Sequence, residues 1–245
     1  MVNRRNEYQT RRDLVLGIVV NQYIRSVSPV SSAHIASDYG LDLSPATIRN
    51  ILAELEQDGY LTHPHTSAGR MPTEEGYRYF VDHLMNEIQL LGEEQARIRF
   101  EYQQGVKDLE AILEKTSQVI SDITHCTSII SLDNVPGRIF CKGLGYVVEY
   151  SEANDISRIR QLLHTLEEKE QLFEIINRRL EEKIQIYIGH EVAYSNIENC
   201  SLAISRYQGP QGTSGRIAVL GPTRMDYPKV VSALDYLSKL MNEIL

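Results

Sequence analysis

No run of 18 apolar residues occurs in the 245-residue chain, so no membrane-spanning helix is expected. The opening residues, Met1-Val2-Asn3-Arg4-Arg5-Asn6-Glu7, are polar and lack the apolar core of a signal peptide, which predicts a cytoplasmic protein. Cysteine is scarce. Cys126, Cys141 and Cys200 are too few and too scattered for a disulfide framework, and are expected as reduced thiols. No CxxC or HxxxH pair is present, and His63, His65, His125, Cys126 and Cys141 fall on unrelated elements, so no metal site is expected. Paired carboxylates and a nucleophile with its base are also missing, which argues against an enzyme and predicts no cofactor. The glycine-rich stretch from Gly209 to Gly215 is not followed by GK[ST] and is no phosphate loop.

Lysine is absent from the first 73 residues. Arginine replaces it: Arg4, Arg5, Arg11, Arg12, Arg25, Arg49 and Arg70 balance seven acids, so this segment is neutral. The formal net charge of −8 therefore lies entirely beyond it. An acidic body leaves a neutral, arginine-bearing N-terminal segment as the part fit to approach nucleic acid.

Within that segment the spacing of Leu14, Val15, Ile18, Val19 and Tyr23 predicts a first helix over 10–24. Ser31 and Ser32 suit the cap of a short second helix, and Gly40 to Leu43 reads as a tight turn. Ser44 then suits an N-cap and Pro45 a first helical position, with Ile48, Ile51, Leu52 and Leu55 as the buried stripe and Gly59 as a left-handed stop. A short helix, a tight turn and a capped helix predict a helix-turn-helix. A strand at 60–63, a small-residue loop at 64–69 and a return at 70–72 predict a wing, and Thr73 caps the next helix.

From Leu84 to Ile123 apolar residues recur in a 3-4 pattern broken at Gln95, Gly105 and Thr116. The pattern fits either one coiled rod or two or three packed helices, since Gly92 and Gly105 weaken a continuous helix. Such helices either dimerise the chain or pack on the rest of it. Beyond His125 the reading is mixed: strands at 127–132 and 139–144, a long helix from Ile156 to about Glu182 capped by Asp155, a strand at 184–188, a hairpin of 200–207 with 216–220, and a last helix over 227–245. The expected class is α+β: a winged helix-turn-helix over 1–90, a helical linker over 91–125, and a small α/β domain over 126–245. The turn Gly221-Pro-Thr-Arg-Met-Asp either cradles an anion or simply joins strand to helix, with Asp226 as cap and Pro228 near the first position.

The chemistry of a helix in the major groove assigns roles. Arg49 suits guanine O6 and N7, Asn50 adenine, and Ala46 and Thr47 a thymine methyl. Ser44 and the helix-start amides suit a phosphate. His65, Thr66, Ser67 and Arg70 suit backbone or minor-groove contacts. Arg4, Arg5, Arg11 and Arg12 either add phosphate contacts or form a solvated tail.

The string from Leu43 to Leu61 resembles the HrcA family of heat-inducible repressors of bacterial chaperone operons. The resemblance tightens over Pro64-His-Thr-Ser-Ala-Gly-Arg-Met-Pro-Thr-Glu-Glu-Gly-Tyr-Arg and returns at Gly221-Pro-Thr-Arg-Met-Asp-Tyr-Pro-Lys-Val. It implies a homodimer on double-stranded DNA at an inverted-repeat operator, inactivated by heat and kept active with help from the chaperonin, with a GAF-like C-terminal domain. This chain departs from that pattern near Asn134, where part of the GAF-like sheet and the inserted dimerisation segment are expected to be missing. The alternative is a winged-helix regulator controlled by a small molecule in the C-terminal domain.

Overall fold

The computed structural model describes residues 2–65, 68–85, 92–103, 108–133, 135, 138–146, 156–194, 196–210 and 212–245; at 2–7, 93, 94, 97, 101, 103 and 156–158 only the backbone is described. The chain divides into two compact units, Met1–Asn86 and Glu87–Leu245.

The first unit opens with α1 (Val2–Ser26), which starts earlier than the apolar spacing alone predicted because its polar beginning contains no breaker. Its buried stripe is Val15, Leu16, Ile18, Val19 and Val20, while Leu14, expected inward, is exposed. A helical stripe centred on Val15 and Val19 takes in Leu16 and Val20 one step round and turns Leu14 outward. The next helix, α2 (Ser32–Asp38), is capped by Ser31, whose Oγ accepts from the His34 amide at 3.2 Å. Gly40, at φ +56°, makes the turn into α3 (Pro45–Gln57). Ile48, Ile51, Leu52 and Leu55 of α3 are buried, and Gly59, at φ +85°, ends the segment in the left-handed conformation that glycine adopts without strain.

Strands β1 (Leu61–Thr62) and β2 (Met71–Pro72) pair antiparallel, Leu61 opposite Pro72. Arg70 extends β2 by an antiparallel bridge to Val30. Thr73 caps α4 (Glu74–Tyr79), its Oγ1 accepting from the Gly76 amide at 3.1 Å and donating to the Gly59 carbonyl at 2.6 Å. The helix continues as a π-turn through Leu84, and Met85 is extended at ψ 119°.

A second extended residue, Asp108 at ψ 133°, excludes one unbroken rod through the 3-4 repeat. The helices are α5 (Gly92–Gln103) and α6 (Leu109–Thr124), and Gly105 lies outside the described residues. Although α6 falls in the stretch read as a linker, it packs on the sheet of the second unit, with Leu113, Thr116, Ser117 and Ile120 fully buried.

The sheet is antiparallel throughout, in the order β4-β3-β7-β6-β5: β3 (Thr127–Leu132), β4 (Ile139–Lys142), β5 (Ile184–Ile188), β6 (Cys200–Gln208) and β7 (Ser214–Pro222). Alternation along the central strands sends Ile129, Leu202, Ile204, Ala218 and Leu220 to one face, against α7 (Ile156–Glu167) and α8 (Lys169–Ile176). The other face is covered by α6 and α9 (Tyr227–Ile244). Tyr207 is buried in the sheet, and its hydroxyl donates to the Ser131 carbonyl at 2.9 Å.

The single long helix expected from Ile156 is two helices, split at Glu168 (ψ 84°) and ended at Asn177. In one straight helix Leu172 would sit about 240° round from Leu166, on the wrong side. The break lets Leu166, Leu172, Ile175 and Ile176 share one core. The expected cap, Asp155, lies outside the described residues. At the end of β7, Asp226 Oδ1 accepts from the Lys229 amide at 3.2 Å and Pro228 lies in the first turn of α9.

All three cysteines are free thiols. Cys126 is the deeply buried one, whereas Cys141 and Cys200 are half-buried against the α7–α8 side of the core. Burial pushes Cys126 up to about 12 and Cys141 and Cys200 up to about 11. At pH 8 all three are held in the unreactive protonated form. Iodoacetamide at that pH is expected to label the folded chain far more slowly than the chain in denaturant; equal rates would refute it. The sign for stability follows. The unfolded thiols ionise first, so their contribution is intact below the ordinary thiol range and is lost as pH rises toward 11–12.

Candidate nucleic-acid interface

The first turn of α3 is fixed from the side chain outward. Ser44 Oγ accepts from the Thr47 amide at 3.1 Å and lies 2.8 Å from Thr47 Oγ1. This satisfies one of the free amides of the helix start, and Pro45 has none to satisfy. Behind it, Ile48 and Ile51 are buried at 0% and 1% exposure. That burial turns Ala46, Arg49, Asn50 and Ala53 out to solvent, with Thr47 half-buried at the edge. Among the described residues, neither Arg49 nor Asn50 has a side-chain hydrogen bond or ion pair. Five guanidinium donors and an amide able to donate and accept are therefore free on one face.

Other candidates are placed differently. His65 is exposed beside the loop, while Thr66 and Ser67 lie outside the described residues. Arg70 is only 21% exposed and is engaged: its Nη2 lies 2.7 Å from Glu56 Oε2 and its Nη1 donates to the Ala68 carbonyl at 3.3 Å. Arg12 is likewise committed, forming an ion pair with Asp58 at the end of α3. Both arginines brace α3 before they can contact anything else. Arg11 is exposed, and the side chains of Arg4 and Arg5 lie outside the described residues.

Sequence reasoning missed the acids of α3. Glu54 accepts from the Tyr8 hydroxyl at 2.5 Å, Glu56 holds His63 and Arg70, and Asp58 holds Arg12. The only hint in the sequence was the spacing of Glu54, Glu56 and Asp58 on the last turns of a helix whose first turns carry no acid.

In the second unit, Arg160, His164, Glu168, Gln171, Tyr194 and Asn196 border an open groove of about 360 Å³ beside α7 and α8. The turn from Gly221 to Asp226 is packed: a β-carbon on Gly221 would lie 2.7 Å from Cys126 Sγ. The Met225 amide donates to the Pro222 carbonyl at 3.0 Å. Among the described residues no cluster of three His, Cys, Asp or Glu side chains is arranged to hold a metal, and no helix is long and apolar enough to cross a membrane.

Residues 131–231 match the family described as HrcA protein C terminal domain. Over 96% of this chain and 96% of the relative, the sequence is 29% identical to the heat-inducible transcription repressor HrcA of Pelotomaculum thermopropionicum. It is 28% identical to the HrcA of Geobacter sulfurreducens over 96% of this chain and 97% of that one. The first alignment runs over 334 positions, 89 more than the 245 residues here, so the shortfall is interior. The fold is also that of a crystal structure described as a hypothetical protein at 2.2 Å resolution, with a TM-score of 0.73, 18% identity, and 95% of this chain and 97% of that one covered.

These relatives are transcription repressors, regulators and not enzymes. Over 96% of its length the chain is similar to the HrcA repressors, in an abbreviated form.

Proposed function

We propose that the chain is a sequence-specific DNA-binding repressor of heat-shock (chaperone) genes, acting as a dimer on an inverted-repeat operator and inactivated by heat. The first unit is read as a winged helix-turn-helix, with α3 as reading helix and β1–β2 as wing, and the second as a shortened GAF-like domain. The observation that carries the reading is the free Arg49 and Asn50, side by side with Ala46 and Thr47 on a capped helix whose other face is buried. Ser44 and the helix start supply a phosphate site, and Ala46 and Thr47 a surface for a thymine methyl. His65, Thr66 and Ser67 then meet the backbone or minor groove from the wing.

A gel shift on inverted repeats upstream of chaperone genes, against scrambled DNA at matched salt, tests this. Equal affinity for both sinks it. Prior heating of the protein is expected to abolish the shift, and added chaperonin to restore it.

Two-fold DNA needs a two-fold protein. α6 spends its apolar stripe on its own sheet, whereas α5 leaves Phe100 61% exposed. On this reading α5 carries the dimer contact; light scattering on Phe100→Asp is expected to report a monomer, and a persisting dimer would remove α5 from it.

The second reading, a regulator switched by a small molecule, is favoured by the groove at Arg160, His164 and Glu168. Metabolite-dependent thermal shifts, with no response to heat or chaperonin, would select it.

A further inference from the structure

We infer that Glu56 is a positioning residue that sets the wing against the reading helix, and that Arg70 acts through Glu56 and not on DNA. This rests on the DNA-binding reading above. Glu56 lies in the last turn of α3 with its side chain 24% exposed. Its Oε1 meets His63 Nδ1, and its Oε2 lies 2.7 Å from Arg70 Nη2. His63 directly follows β1 and Arg70 directly precedes β2, so one carboxylate holds both arms of the loop between them.

The backbone closes the same joint from the other side. The Val30 amide donates to the Arg70 carbonyl, and the Arg70 amide to the Val30 carbonyl, both at 2.8 Å. A β-carbon on Gly69 would lie 2.5 Å from the Val30 carbonyl carbon, so this approach requires glycine. Arg70 Nε is buried without a hydrogen-bond partner, and the guanidinium is spent inward, on Glu56 and on the Ala68 carbonyl.

The charge pattern gives this joint a second effect. Carboxylates on a reading helix repel phosphates; α3 carries Glu54 and Glu56, and Asp58 caps its end. Each is tied to a donor from α1 or the wing. The helix presents free donors at its start; at its end Glu56 and Asp58 are ion-paired and Glu54 accepts from the uncharged Tyr8 hydroxyl, and these partners brace it to α1 and to the β1–β2 hairpin.

Operator gel shifts over a salt series on Glu56→Gln, Arg70→Lys and the double variant test the assignment. Glutamine keeps the shape and removes the charge, and a thermal melt of each variant verifies folding. Glu56→Gln is expected to weaken operator binding about tenfold, with a shallower salt dependence as wing–phosphate contacts slip. Discrimination between the operator and a base-substituted operator is expected to persist, because Arg49 is untouched. Arg70→Lys is expected to behave alike, and the double variant to lose little more than either single one.

Tighter binding by Glu56→Gln would overturn the inference, because it is what a phosphate-gripping Arg70 released from a competing carboxylate would give. Simple additivity of the two changes would overturn it as well. A wild-type protein without operator preference fails differently: it removes the DNA reading itself, and with it this inference. Should Glu56→Gln not fold, the Arg70→Lys salt series carries the decision.

Discussion

Arg49→Ala is expected to weaken operator binding by about 1–3 kcal/mol and to relax specificity at one base pair of each half-site. Nothing in the protein compensates for its loss. Among the described residues its guanidinium has no partner, so the truncation costs no folded-state ion pair and the melting temperature should hold. The buried stripe of Ile48, Ile51, Leu52 and Leu55 keeps the same face outward in the variant. A competition gel with operators substituted one base at a time is the measurement. Uniform weakening across all of them would demote Arg49 to a phosphate contact, and unchanged affinity at matched salt would remove it from the interface.

Ile48→Ala is expected to act through stability. Ile48 is fully buried, one helical step from the capped turn, and a large-to-small change at such a site costs about 2–5 kcal/mol through lost transfer energy and the cavity left behind. That is a large fraction of the stability of a small unit. Melting followed by circular dichroism should show an early transition, and operator binding should disappear over the same temperatures although Arg49 and Asn50 remain. Binding that outlasts the transition would mean that the reading face does not depend on this core.

The exposed face of α3 was legible because local rules determine it. Ser44, Pro45 and Gly59 mark the ends of α3 by cap and turn chemistry, and a 3.6-residue stripe leaves only one face for Arg49 and Asn50. The five strands were legible from alternation and turn residues. The pairing of Glu56 with His63 and Arg70 was not, because spacings of 7 and 14 residues across a turn and a strand carry no signal until β2 folds back on β1. Arg70 and Arg12 looked like solvent-facing cations for the same reason: composition counts charges and does not say which are already spent. The break at Glu168 has no proline or glycine to announce it; only the need to place Leu166 and Leu172 on one core explains it. The apolar repeat through Ile123 showed that α6 has a buried face, but not that the sheet is what buries it.

Strand β3 lies between β4 and β7, and its partner in β7 begins at Ser214, 82 residues after Leu132. The first unit ends at Asn86, and among the described residues its strand pairings lie inside that length. On the ribosome the two halves therefore mature at different times. The N-terminal unit can close while β3 still waits for β7 and α6 for α9 to be made. A nascent chain stalled before Ser214 carries a finished N-terminal unit on an unfinished body, and the body is the part that a folding helper would have to shelter.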